Sequence, residues 1–149
     1  MYKQILVAID GSELTAKILD HAFTLASLSG AAVEVVTTTE PSVLFMAGAE
    51  LISISTKELL EELEKVNAAQ AASVLQGAAA AAAAAGVALD TRHVRHQIPS
   101  DGILKAAEDR KADLIVMGSH GRRGLNRLLL GSQANEVLSR SKIPVLIVK

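Results

Sequence analysis

Apolar residues along this chain change their period several times. Residues 114–117, Leu-Ile-Val-Met, form an unbroken apolar run of the kind a strand buried on both faces requires, and the run stops at Gly118. Residues 5–9, Ile-Leu-Val-Ala-Ile, are a second such run, closed by the turn chemistry of Asp10, Gly11 and Ser12. From Ser12, an expected N-cap with Glu13 in the first turn, Leu14, Ile18, Ala22, Leu25 and Ala26 recur at helical spacing until Gly30. Residues 32–39, Ala-Val-Glu-Val-Val-Thr-Thr-Thr, are rich in β-branched side chains and read as the next strand, ended by Glu40 and Pro41. Strand, helix and strand make a βαβ unit with a right-handed crossover.

Residues 41–54 are apolar in patches with no clean period, and are expected to form a loop or lid. Ser55-Thr56-Lys57-Glu58 has the pattern of a capping box, opening a helix to Ala85 before Gly86. Leu59, Leu63, Val66, Val74 and Leu75 supply its apolar face. The alanine run 78–85 favours helix and permits close approach to a sheet, with Gly77 a place for it to soften or bend. Residues 89–94 mix apolar positions with Asp90, Arg92 and His93, as an edge strand would. Ser100 is expected to cap a helix that carries Ile103, Leu104 and Ala107 and ends near Lys111. A helix from Ser132 to about Arg140 and an apolar strand at 145–148 complete the chain.

The alternation β-α-β-α-β-α-β-α-β predicts an α/β fold, a parallel sheet with helices on both faces, in one domain over residues 1–149. Ligands of such folds sit outside the carboxyl ends of the strands, at the switch point where helices pass to opposite faces. For Asp10 to share that cleft with the chain beyond Gly118, their strands must be neighbours. Periodicity leaves the adjacency open.

Composition narrows the function classes. Half of the 149 residues are hydrophobic, yet Tyr2, Phe23 and Phe45 are the aromatics, so the core is aliphatic and a base-stacking platform for nucleic acid is disfavoured. A formal net charge of −1 without a long basic run argues against a nucleic-acid or membrane-surface partner. No cysteine is present, which excludes disulfides and thiolate chemistry. The apolar stretch at the N-terminus is too short for a signal peptide or a membrane span, so the cytoplasm is the expected location.

The candidate chemistry lies between Gly118 and Gln133. Gly118, Gly121, Gly124 and Gly131 punctuate a loop that ends at Ser132, with Arg122, Arg123 and Arg127 along it. Glycines that reach φ > 0 or let amides approach a ligand, a serine N-cap and the positive end of a helix together make an anion cradle, whose natural occupant is phosphate. The spacing is neither a Walker A loop nor Gly-x-Gly-x-x-Gly. Alternatively, the glycines serve only the geometry of a turn-rich connection.

That spacing, Gly-x2-Gly-x9-Gly-Ser, resembles the phosphate-binding signature of the ATP-binding universal stress proteins. The resemblance spans nearly the whole chain, through Ile-Leu-Val-Ala-Ile-Asp-Gly-Ser at 5–12, Ala-Asp-Leu-Ile-Val-Met-Gly-Ser-His-Gly-Arg at 112–122, Leu-Leu-Leu-Gly-Ser at 128–132 and Pro-Val-Leu-Ile-Val at 144–148. It implies a Rossmann-like, five-stranded open sheet in the order 3-2-1-4-5 and ATP, with Mg2+, between the first and fourth strands. Ala8, Ile9 and Asp10 would flank the adenosine, with Thr38 offering backbone contacts to adenine. Met117 and Gly118 would line the floor; His120, Gly121, Arg122, Gly131, Ser132 and Gln133 would surround the phosphates. The resemblance also implies a homodimer formed by residues 145–148 across a two-fold axis. The chain departs from the family pattern at Thr37 and Thr38, where a His and an apolar residue are usual, at Gln97 in place of a glycine, and at Gln133 in place of a small apolar residue.

Several of these side chains have plainer roles open to them. Asp10 can cap its own turn, His120 can be an exposed loop residue, and Arg123 and Arg127 can be solvated charges. His93 and His96, three apart on a strand, point to opposite faces and make a poor metal pair. His21 has no nucleophile placed beside it, and no Ser/His/Asp set assembles. Three functions follow: an ATP-binding stress-response or signalling regulator, a slow ATPase or phosphotransferase, or a nucleotide-independent dimeric interaction protein.

Overall fold

The computed structural model describes residues 1–40, 56–95, 97–121 and 130–149. Along the chain these form β1 (Gln4–Ala8), α1 (Thr15–Ser29), β2 (Ala32–Thr39), α2 (Thr56–Ala85), β3 (Leu89–Arg95), α3 (Pro99–Arg110), β4 (Leu114–Gly118), α4 (Ser132–Arg140) and β5 (Val145–Val148). The strands form one five-stranded sheet in the order β3-β2-β1-β4-β5, every neighbouring pair parallel, which is the expected order. The expected region 41–54, together with Arg122, Arg123, Gly124, Arg127 and His96, lies outside the described residues.

Two cores follow from the two-residue period of the strands. Ile5, Val7, Val33, Val35 and Val116 face one side, where Ile18, Ala22 and Phe23 of α1 and Ala78 and Ala82 of α2 cover them. Leu6, Ala8, Val36, Ile115 and Met117 face the other, against Ile103, Ala106 and Ala107 of α3 and Ala134 and Val137 of α4. Because α1 leads from β1 in one direction and α4 leads from β4 in the other, on opposite faces, a crevice opens between the carboxyl ends of β1 and β4. On β2, Glu34 is 4% exposed and is neutralised by Arg92 of the edge strand β3 at 3.0 Å.

The structure corrects the expected helix starts. Ser12 sits in a turn, its N–H donating to Asp10 Oδ1 at 2.9 Å and its carbonyl accepting from Thr15 N–H at 3.0 Å, so Leu14 is the N-cap of α1 and Glu13 precedes the helix. Ser100 lies inside α3, because Pro99, whose fixed φ suits a first helical position, starts that helix one residue earlier with Ile98 as N-cap. Ser132 is the first residue of α4 rather than its cap, which is Gly131.

The apolar face of α2 differs as well. Leu59 and Val66 are 37% and 56% exposed, whereas Ala71, Ala78 and Ala82 are buried. A 30-residue helix is about 45 Å long and the eight-residue β2 about 26 Å, so the first turns of α2 have no strand beneath them.

Candidate functional site

At the end of β1, Asp10 and Gly11 turn the chain sharply into α1. Gly11 has φ +77°, and a Cβ there would lie 2.8 Å from Val74 Cγ2 of α2. At the end of β4 the constraint is different. Gly118, Gly121 and Gly131 are not among the glycines with positive φ, so of the two properties glycine offers such a loop it is not the left-handed backbone that they supply. Space is what they supply. A Cβ on Gly118 would meet Ile18 Cδ1 at 3.1 Å and Leu14 Cδ1 at 3.2 Å. On Gly121 it would lie 2.8 Å from Asp10 Oδ2, and on Gly131 it would lie 3.1 Å from Ser119 O and 3.3 Å from His120 Cα. Gly131 N–H donates to Ser119 O at 2.7 Å, so the far end of the loop returns to its start.

A cavity of about 420 Å3 occupies this crevice. Ala8 lines it from the end of β1 and Ile9 and Asp10 from the chain just beyond it, Thr38 from β2, Met117, Gly118, His120 and Gly121 from β4 and its extension, and Gly131, Ser132 and Gln133 from the start of α4. The expected site residues other than Arg122, which falls outside the described residues, are thus brought to one cavity. The walls also include Glu40 and Asn67, which sequence reasoning missed. Both had a signal: Glu40 is a charge at the end of a buried strand, as Asp10 is, and Asn67 interrupts the row that Leu60, Leu63, Ala71 and Val74 mark at helical spacing.

The polar groups fall into a pattern. Asp10 caps its own turn through Oδ1 while Oδ2 faces Gly121, so the plainer role and a place in the cavity coexist. His120 is not an exposed loop residue, since its side chain is 10% exposed. Its Nδ1 lies 3.0 Å from Ser119 Oγ and its Nε2 3.9 Å from Glu13 Oε1. This resembles a nucleophile, base and acid in sequence, but Ser119 is 2% exposed and not part of the cavity wall, so its hydroxyl has no path to a ligand there. The first amides of α4 lack intrahelical partners, and they give the cavity its positive end.

Away from the cavity, α3 and α4 are tied by Arg140 and Asp101 at 2.7 Å, and that hydrogen-bonded carboxylate holds the Arg140 guanidinium above its ordinary value. Among the described residues, no three His, Asp or Glu side chains gather as a metal cluster, and no helix is long and apolar enough to cross a membrane.

Comparison with known proteins adds independent findings. A family model described as the universal stress protein family matches residues 1–149. Universal stress protein MJ0531 of Methanocaldococcus jannaschii is 35% identical over 149 residues, a match covering 100% of this chain and 83% of that protein. Among solved structures, hypothetical protein MJ0577 of the same organism superposes with a TM-score of 0.84 at 30% identity, covering 100% of this chain and 96% of that one. A universal stress protein from Archaeoglobus fulgidus in complex with dAMP superposes with a TM-score of 0.67 at 25% identity, covering 99% and 98% of the two chains.

Proposed function

Because the chain belongs to the universal stress protein family, we propose that it binds ATP between β1 and β4 and acts as a stress-response or signalling regulator. The observation that carries this reading is the meeting of Asp10, the loop of Gly118, Gly121 and Gly131, and the start of α4 in one cavity of about 420 Å3. That volume lies within the roughly 300–1,000 Å3 of small-molecule sites. The fit of a phosphate is supported by the glycines, which line the cavity and whose lack of a Cβ lets the loop close against Asp10 Oδ2 and the backbone of Ser119 and His120, bringing main-chain groups to the cavity wall. The dAMP complex of the Archaeoglobus relative supports a nucleotide as the ligand class. Adenine is assigned to the Thr38 end and the phosphates to Gly121, Gly131 and Ser132, with Mg2+ carried by phosphate oxygens beside Asp10.

The test is thermal unfolding of the nucleotide-stripped protein against ATP, with and without Mg2+, and GTP as control. At one hundred times its dissociation constant ATP stabilises the fold by about 2.7 kcal/mol, which for a chain of 149 residues raises the midpoint by roughly 5 to 11 °C. No shift with either nucleotide would overturn the reading.

A homodimer through β5 completes the proposal. This strand is paired with β4 on one side and forms the edge of the sheet, with Leu146 and Ile147 half-buried; an apolar edge of that kind favours a partner strand. Val145→Asp should therefore sediment as monomer where the parent chain sediments as dimer. A dimer that survives the substitution places the interface elsewhere.

A further inference from the structure

The starts of α3 and α4 meet at the cavity, and one side chain joins them. Neither helix receives a hydrogen bond from the side chain of its own N-cap residue. The first turn of α3 is held from outside instead, by Ser100 N–H donating to Gln133 Oε1 at 2.9 Å, and Ser100 is 2% exposed. That bond decides which way the carboxamide points, because a backbone N–H pairs with the oxygen and not with the NH2. The nitrogen end is thereby a fixed pair of donors, with no protein partner among the described residues. Gln133, second residue of α4, lines the cavity beside Gly131 and Ser132.

We propose that Gln133 determines ligand specificity at this site: its carbonyl stays on Ser100 while its NH2 donates to a phosphate oxygen of the bound nucleotide. The inference rests on the nucleotide reading above, and adds to it a neutral side-chain donor that recognises the phosphate. A carboxamide anchored on a second helix is already oriented, so little side-chain freedom is lost on binding. A donor to a charged phosphate oxygen is stronger than one to a neutral acceptor.

Gln133→Glu separates the two ends of the amide. The variant keeps an oxygen for Ser100 N–H and nearly the same shape, but replaces the donor with a negatively charged acceptor. AMP and adenosine affinities are measured by calorimetry on the nucleotide-free full chain. In Gln133→Glu, AMP binding should weaken about tenfold or more while adenosine binding stays within about twofold. Gln133→Met, which removes both polar ends without adding charge, serves if the glutamate variant does not fold, and should lower the AMP-to-adenosine affinity ratio several-fold. A ratio equal to that of the parent chain in a folded variant overturns the role of Gln133 and leaves nucleotide binding intact. A parent chain that binds AMP no better than adenosine also overturns the role of Gln133, and one that binds neither of these nor ATP overturns both readings.

Discussion

The turn after β1 and the loop after β4 leave neighbouring buried strands at the same end of the sheet, and both depend on glycine for different reasons. Gly11 holds a left-handed backbone, φ +77°, beneath Val74 of α2. Gly121 and Gly131 have backbones that other residues could adopt, but no room for a Cβ against Asp10, Ser119 and His120. One glycine makes the turn possible; the others let the loop pack closely at the cavity wall. Losses at the first should therefore appear as stability, and losses at the second as ligand binding.

Substitution tests the division. Gly11→Ala should have the largest effect on stability, about 2 to 3 kcal/mol, from positive φ and the 2.8 Å approach to Val74 Cγ2 together. Gly30→Ala isolates the backbone part, about 1 to 2 kcal/mol, because at φ +68° nothing lies within 4 Å of its Cβ. Chemical denaturation measures both, and equal losses would show that Val74 yields freely. Folded Gly11→Ala should keep the ATP-dependent melting shift; its disappearance would make the β1 turn part of the binding surface.

Gly131→Ala presses on backbone atoms of Ser119 and His120, and should cost about 1 kcal/mol of stability while removing most of the ATP shift. Gly121→Ala meets a carboxylate oxygen at the end of a side chain, which can swing aside more readily. Its stability loss should be the smallest, about 0.5 kcal/mol, with ATP binding weakened by the displaced Asp10. Full retention of the ATP shift in both variants would leave the glycines as loop geometry alone.

Much of the fold was legible because the strand signals are local. The limits of β2 and β5 agree with the β-branched and apolar runs that marked them, and α2 ends where Gly86 takes a positive φ. The errors arose where one local rule met another, or met a distant neighbour. Ser100 has the composition of a cap, but Pro99 begins the helix, and the amide of Ser100 is taken by Gln133. Leu59 and Val66 belong to the apolar row of α2, yet that helix outlasts the sheet it covers. His120 looked as suited to solvent as to a cleft until Ser119 and Glu13 closed around its ring. Of the site, the glycines, Asp10 and Thr38 were readable from motif and resemblance, whereas Glu40 and Asn67 required the cavity to be seen.

By itself the sequence determined the order and kind of the elements, the two-faced burial of β1 and β4, and the glycine spacing of the loop, since each depends on residues a few positions apart. Only the tertiary structure decided that β1 lies beside β4, with Lys3 N–H reaching Asp113 Oδ2 at 2.7 Å across 110 residues of chain. It likewise set Asp10 against Gly121 and tied Gln133 to Ser100. Such contacts are chosen by how two helical layers cover one sheet, and no period along the chain records which residues that packing brings together.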